Sequence, residues 1–343
     1  MSVPDKRKGE ITINDIAKEL NISPSTVSRA LNDNAKISDA TKERVRKVAQ
    51  DLGYELNLVA SSLSKNKTNI IGVIIPHIGS QFFSQALSGI QEVAQAKGYN
   101  VIICQTNESV QQEVEMTKVM NSARVDGVVA CLTMETEDVS HFDVFAKKNI
   151  PVAMFDRVNY AIPGPKIVVD NYEAAYLATE HLVTIGCKRI AHLAGSLASK
   201  VFEDRAEGYK DALKKHGIPL LSQYLLSSDL TEKDARDATK LWMSLPEKPD
   251  GIVAGSASSG LLIASAAKSM GVKLPEELSL ISLGNERCNE IITPSLSAVD
   301  MPGLEMGRSA ADHLIKCIKK GKVDGGITLK PIQLVIRNSS FKI

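Results

Sequence analysis

Residues 24–32, PSTVSRALN, gather short hydroxyl and amide side chains around one fork-shaped cation, Arg29. Groups of this kind suit the base edges and phosphates of a duplex. Val27, Ala30 and Leu31 fall on one face of a short helix, so Ser25, Thr26, Ser28, Arg29 and Asn32 point outward. Ser23 is a good N-cap, and Pro24 suits the first helical position because its missing N–H would have no partner there. A first helix must brace this one. Ile13, Ile16, Ala17 and Leu20 at i, i+3, i+4 and i+7 form its apolar stripe. Thr12 caps it with Asp15 as the reciprocal partner, and Asn21 tolerates the left-handed backbone needed where the chain reverses. The pair outlines a helix-turn-helix, although any small αα-hairpin with polar outer faces has the same periodicity. A third helix runs from Ser38 through Val45, Val48, Ala49 and Leu52 to Gly53. Residues 57–69, NLVASSLSKNKTN, then read as a marginal helix and a linker.

Other chemistry is hard to find. The chain has no G-x-G-x-x-G, G-x-x-x-x-G-K-[ST] or H-E-x-x-H. GSLASK (195–200) and GSASSG (255–260) imitate phosphate loops but read as turns and helix starts, and the six histidines show no motif spacing. Five scattered cysteines, Cys104, Cys131, Cys187, Cys288 and Cys317, lack metal or redox spacing and are expected to be reduced, mostly buried thiols. No cofactor or metal is implied. An enzyme on this scaffold is therefore disfavoured. No apolar run follows the N-terminal charges and no stretch reaches about 18 apolar residues, so neither a signal peptide nor a membrane span is expected, and the chain is placed in the cytoplasm. That counts against a solute-binding protein without DNA activity.

At 343 residues with 43% hydrophobic content the chain allows a substantial core and more than one domain. Its net charge is +1, but residues 1–67 hold 12 Lys and Arg against 9 Asp and Glu, leaving 29 against 31 for the remainder. The basic excess sits with the helices that would meet DNA. From residue 69 onward short β-branched runs alternate with helical stretches: 69–76, 101–106, 126–133 and 151–156, then 166–170, 189–195, 222–228, 250–255 and 278–284, with helices near 81–97, 109–122 and 138–148 in the first series. Two successive doubly wound α/β units follow, with a ligand cleft expected between them outside the carboxyl ends of the strands. Trp242 falls within a helical pattern and is expected to pack rather than stack on a ligand.

The pattern I-x-D-I-A-x-x-x-x-V-S-x-x-T-V-S-R-x-L-N stands from Ile13 to Asn32, with Ile22 in place of the usual Val. VAMFDR (152–157), VVDNYEAAYLATEHLVTIGCKRIAHLAG (168–195), DRAEGYKDAL (204–213) and LPEELSLISLGN (274–285) carry the likeness onward. The whole chain thereby resembles the LacI/GalR family of bacterial transcription regulators. The resemblance implies a small all-α head over residues 1–56, a hinge over 57–68, and a two-subdomain core over 69–343 with the fold of periplasmic binding proteins. Subdomain 1 would take about 69–167 and 299–327, and subdomain 2 about 168–298 and 328–343. By the same likeness Pro24, Ser25 and Arg29 read the major groove and Thr26 and Ser28 serve phosphates. Thr12, Asn32 and the hinge residues Asn57, Ala60 and Leu63 complete the DNA-facing set, with Leu63 as the minor-groove wedge. The partners implied are double-stranded operator DNA, a small-molecule effector such as a sugar or related metabolite, and a second copy of the chain. Family tetramers carry a C-terminal leucine heptad helix; LVIRNSSFKI holds none, so a homodimer is expected.

For the effector, the likeness points to Asp156 and Arg205, a carboxylate and a guanidinium able to share vicinal hydroxyls, with Phe82 and Phe83 as an apolar face. Asp156–Arg157 and Asp204–Arg205 read equally as local surface ion pairs. Ser256 and Asn285 stand where the pattern departs: Gly255, Ser256 and Ala257 replace A-N-D, and Leu283, Gly284 and Asn285 replace F-D-D or Y-D-D. Leu230 replaces a stacking aromatic. Each buried sugar hydroxyl left unpaired costs about 1–3 kcal/mol, so an ordinary hexose bound in the ordinary way is not expected.

Overall fold

In the computed structural model, which describes residues 11–54 and 67–341, α1 (Ile13–Leu20), α2 (Pro24–Leu31) and α3 (Asp39–Asp51) form the N-terminal unit. The Thr12 amide and hydroxyl both donate to Asp15 Oδ2, at 2.8 and 2.7 Å. Asn21 ends α1 at φ 51°, ψ 45°. The Ser23 hydroxyl accepts from the Thr26 amide at 3.1 Å with Pro24 opening α2, and the Ser38 hydroxyl accepts from the Thr41 amide at the head of α3. Ile16, Ala17, Val27, Ala30, Val45 and Ala49 are buried together, with Leu20 and Leu31 half-buried around them. The hinge positions, Asn57, Ala60 and Leu63 included, lie outside the described residues.

The second unit, Asn69–Ile343, is built on two six-stranded sheets. Strands β1 (Ile70–Ile75), β2 (Asn100–Gln105), β3 (Gly127–Ala130), β4 (Val152–Phe155) and β5 (Pro165–Val169) belong to the first sheet. The chain then crosses to the second sheet for β6 (Ile190–Ala194), β7 (Leu225–Ser227), β8 (Gly251–Ala254), β9 (Ser279–Leu283) and β10 (Ser297–Asp300). It returns for β11 (Gly326–Lys330) and crosses again for β12 (Gln333–Val335). The sheet orders are β11-β5-β4-β3-β1-β2 and β12-β10-β9-β8-β6-β7. Neighbours are parallel except β12, which runs antiparallel to β10. Helices α4 (Gln81–Ala96), α5 (Val110–Ser122) and α6 (Asp143–Ala146) serve the first sheet. The second is served by α7 (Asn171–Thr184), α8 (Lys200–Lys215), α9 (Glu232–Ser244), α10 (Ala257–Ser269) and α11 (Cys288–Ile291). After β10, α12 (Gly303–Lys320) packs back on α4, so closely that a Cβ on Gly307 would lie 2.0 Å from the Ala86 carbonyl oxygen.

Three sequence expectations need correction. The subdomain crossings anticipated near 167, 298 and 327 fall inside β5, β10 and β11; the sheets exchange the chain after Val169, Asp300 and Lys330 instead. Of the run 222–228 only Leu225–Ser227 is a strand, because Ser222–Tyr224 closes into a 3-10 turn. The helix expected over 138–148 shrinks to a 3-10 turn, Ser140–Phe142, and the single α-turn of α6. All five cysteines are free thiols, with Cys288 exposed and Cys104 half-buried. Among the described residues no helix is long and apolar enough to cross a membrane.

Candidate functional site

On the head, Thr12, Pro24, Ser25, Arg29 and Asn32 are exposed, and Thr26 and Ser28 are half-buried. Local bonds occupy part of this set. The Ser25 and Thr26 hydroxyls each share a 2.8 Å hydrogen bond with the Ser23 hydroxyl, and Asn32 Nδ2 donates to the Ser28 carbonyl at 2.8 Å. Capping thus already engages the Thr26 hydroxyl that the family likeness assigns to phosphate. Arg29, exposed on α2, makes no ion pair among the described residues and projects its guanidinium to solvent.

In the second unit a cavity of about 280 Å³ opens between the two sheets, lined by residues at or beyond the carboxyl ends of β1–β4 and β6–β10. Parallel sheets bind ligands at this end because the loops there are free to vary while the strands stay fixed. Phe82, Phe83, Asp156, Arg205, Ser256 and Asn285 all line it. Asp156 directly follows β4 and holds a left-handed backbone at φ 59°. Among the described residues its Oδ2 meets only the Cys131 thiol at 3.8 Å and Arg157 Nε at 3.9 Å. Arg205 projects from the first turns of α8. Its Nε donates to Asn171 Oδ1 at 2.9 Å and its Nη1 to the Gly255 carbonyl at 2.7 Å, while Nη2 reaches only the weakly accepting Met301 sulfur at 3.3 Å. Burial pulls the Arg205 pKa down to about 10 despite the opposing pull of Asp156.

Asp204 pairs with Lys200 at 2.9 Å while Arg205 turns inward, so no Asp204–Arg205 surface pair forms; Asp156 and Arg157 do pair, at 3.9 Å, but as largely buried side chains. Ser256 and Asn285 line the cavity with their side-chain oxygens already engaged. Ser256 Oγ caps α10 by accepting from the Ser259 amide at 3.1 Å, and Asn285 Oδ1 accepts from Arg337 Nη1 at 3.1 Å. Trp242 is fully buried, its Nε1 donating to the Gln223 carbonyl.

Other members of the site went unnoticed in the sequence. Arg157 Nη1 donates to both oxygens of Glu108 at 2.8 Å, and Glu108 Oε2 also accepts from the Met134 amide at 3.0 Å. The Arg157 guanidinium sits 5.9 Å from the Phe83 ring of the first subdomain and 5.8 Å from the Phe202 ring of the second. Burial alone would depress Arg157, but Glu108 and Asp156 hold it above its ordinary value. Met134, Val201 and Phe202 form a small buried apolar cluster with Leu230 packed against it, and all four line the cavity. Glu108 and Leu230 share the left-handed backbone of Asp156, at φ 57° and 55°. Each such residue costs about 1–2 kcal/mol, and strain of this kind gathers where geometry serves function. The rule that placed Asp156 at a strand's carboxyl end would also have flagged Glu108, three residues beyond β2. Phe202 carried no such signal. A smaller cavity of about 160 Å³ opens on the other side of Asp156 and Arg157, beside Ser199 and Lys200 at the start of α8.

Comparisons with known proteins cover both units. Residues 12–57 match the family described as bacterial regulatory proteins, lacI family, and residues 68–338 match periplasmic binding proteins and sugar binding domain of LacI family. The chain is 31% identical over 336 residues to the HTH-type transcriptional repressor CytR of Escherichia coli (strain K12), covering 98% of each. It is 30% identical over 331 residues to Catabolite control protein A of Priestia megaterium, covering 96% of this chain and 99% of that protein. Among solved structures, the Lac repressor dimer bound to operator and the anti-inducer ONPF is similar at a TM-score of 0.86 and 23% identity, over 97% of this chain and 100% of that one.

Proposed function

The chain belongs to the LacI family of bacterial regulatory proteins, and on that premise we propose a sequence-specific repressor whose grip on operator DNA is set by a small molecule held between the two sheets. The observation that carries this reading is the cavity itself, walled by both subdomains at the crossings of the chain, with a buried carboxylate and a buried guanidinium whose bonding capacity is unspent. Asp156 accepts from ligand hydroxyls and Arg205 Nη2 donates to them. Three crossings make a hinge, so a ligand touching both walls favours one relative rotation over another. A differential affinity worth about 1–3 kcal/mol gives a 5- to 150-fold change in operator binding.

Two heads are needed to read a two-fold operator, so the working unit is a homodimer. The Lac repressor, which shares this fold, is a dimer on operator in its solved structure, and that supports the same arrangement here. Arg29, Ser25 and Pro24 read bases, and the protein works in the cytoplasm, where its DNA is. Selection of bound sequences from random duplexes by the full-length chain tests the proposal. A two-fold symmetric site is the expected result; recovery of no preferred sequence at low ionic strength overturns it.

A further inference from the structure

One carboxylate of the first subdomain holds two groups that meet Phe202 of the second. Glu108 accepts from Arg157 Nη1 at 2.8 Å and from the Met134 amide at 3.0 Å. Arg157 then stands 5.8 Å from the Phe202 ring, and Met134 packs with Phe202 and Val201. The groups that fix Arg157 move with the first subdomain: Glu108 follows β2, the Leu132 carbonyl, 3.3 Å from Nη1, follows β3, and the Phe83 ring at 5.9 Å lies on α4. Phe202 is fixed by the second. A Cβ on Gly195, just beyond β6, would lie 2.6 Å from its Cγ, the Arg205 guanidinium stands 5.3 Å from its ring, and Leu230 packs against the same cluster. The contact therefore joins two bodies that the three crossings leave able to rotate. It is nearly dry, with Phe202 4% and Met134 7% exposed. A cation–π attraction is strongest in such surroundings and reaches only to about 6 Å from the ring centroid. Arg157 sits close to that limit, so a small rotation breaks its contact with Phe202 and leaves the Glu108–Arg157 pair whole. Strain marks the same place, for Asn107 and Glu108 are consecutive left-handed residues at φ 52° and 57°, a conformation that persists only where surrounding contacts over-determine it.

We propose that the Glu108–Arg157–Phe202 bridge holds one relative rotation of the two subdomains and thereby sets the operator affinity of the ligand-free chain, with Glu108 as its positioning residue. The inference rests on the regulatory reading above and names the contact that biases it. Phe202 shares its ring between Arg157 and Arg205, so its loss leaves two like charges with no π-surface to attract either. All three bridge residues line the cavity, and a molecule bound there acts on the bridge directly.

The Kd of the full-length chain for its selected duplex, measured without added small molecule in native, Phe202→Leu, Glu108→Gln and doubly substituted forms, tests the bridge. Phe202→Leu keeps an apolar side chain, removes the π-face, and is expected to shift Kd by about 5- to 30-fold. Glu108→Gln is expected to shift it in the same direction, and the double variant no further than Phe202→Leu alone, because Glu108 acts through a contact already lost. Arg157→Lys, which keeps a cation, should stay nearer the native Kd than Arg157→Met. Denaturation midpoints taken alongside separate a merely structural role, which would lower stability and leave the Kd of the folded chain unaltered. An unaltered Kd, or single effects that add in the double variant, overturns the proposal and leaves the regulatory reading standing. A native chain that selects no duplex overturns the regulatory reading and the bridge with it.

Discussion

Arg29 and His192 mark the two extremes of what a single residue does in this molecule. Arg29 is exposed on the outward face of α2 and makes no ion pair among the described residues, so its fork suits a bidentate contact. Arg29→Ala is expected to relax base preference at one position of the operator and to cost about 1–3 kcal/mol, read by repeating the duplex selection; unchanged selectivity would remove α2 from the reading role. His192 is fully buried on β6, its Nδ1 bonded to the Val253 carbonyl at 2.8 Å and its Nε2 without a partner among the described residues. Burial lowers its pKa to about 4. Between that value and the ordinary one near 6.5 the unfolded chain binds a proton that the folded chain does not, so stability falls as pH drops through this window and levels off below it. The loss amounts to about 3 kcal/mol. Denaturant unfolding at a series of pH values should show that slope, and His192→Leu should flatten it. That Asp156 and Arg205 line the cavity was legible through the family likeness of VAMFDR and DRAEGYKDAL, whose matching stretches are local in sequence. The Glu108–Arg157 pair joins residues 49 apart, and no spacing rule announces it.

At the scale of elements, apolar periodicity located the three head helices, and continuous β-branched runs located β1–β6, β8 and β9, all but β2 largely covered on both faces. Both signals missed the last three strands, β10–β12. β10, between Pro294 and Pro302, carries only Ala298 and Val299 between Ser297 and Asp300, and β12, after Pro331, is three residues long, too little apolar sequence for either to register. β11 leaves Ile327 and Leu329 exposed, which inverts the usual sign of burial. The α4–α12 contact was equally invisible, because it depends on glycine on both helices: a Cβ on Gly89 would lie 2.2 Å from the Leu304 carbonyl oxygen, and one on Gly307 2.0 Å from that of Ala86. Gly307→Ala must push these helices apart and is expected to cost about 1–3 kcal/mol. A lowered denaturation midpoint with unchanged helical content would be the signature; an unaltered midpoint would show that the helices shift freely.

For the whole molecule, the design couples a head with a surplus of basic residues to a core that crosses three times between two sheets. The division of the core into two α/β units and the placement of the cleft followed from strand and helix alternation. The ligand did not, because polar and aromatic anchors of the family pattern are replaced at Ala257, Leu283 and Gly284. The account stands on one coupling, that occupancy of the cavity changes the hold on DNA, and Asp156→Asn isolates it, since Asn tolerates the left-handed backbone at this position while losing the charge. The decisive measurement is the Kd of the full-length chain for its selected duplex, with and without the cavity ligand, in native and Asp156→Asn forms. A 5- to 150-fold change in the native chain, absent from a variant whose ligand-free DNA affinity is unaltered, is the predicted result. Saturation of the cavity with no change in Kd would contradict the account.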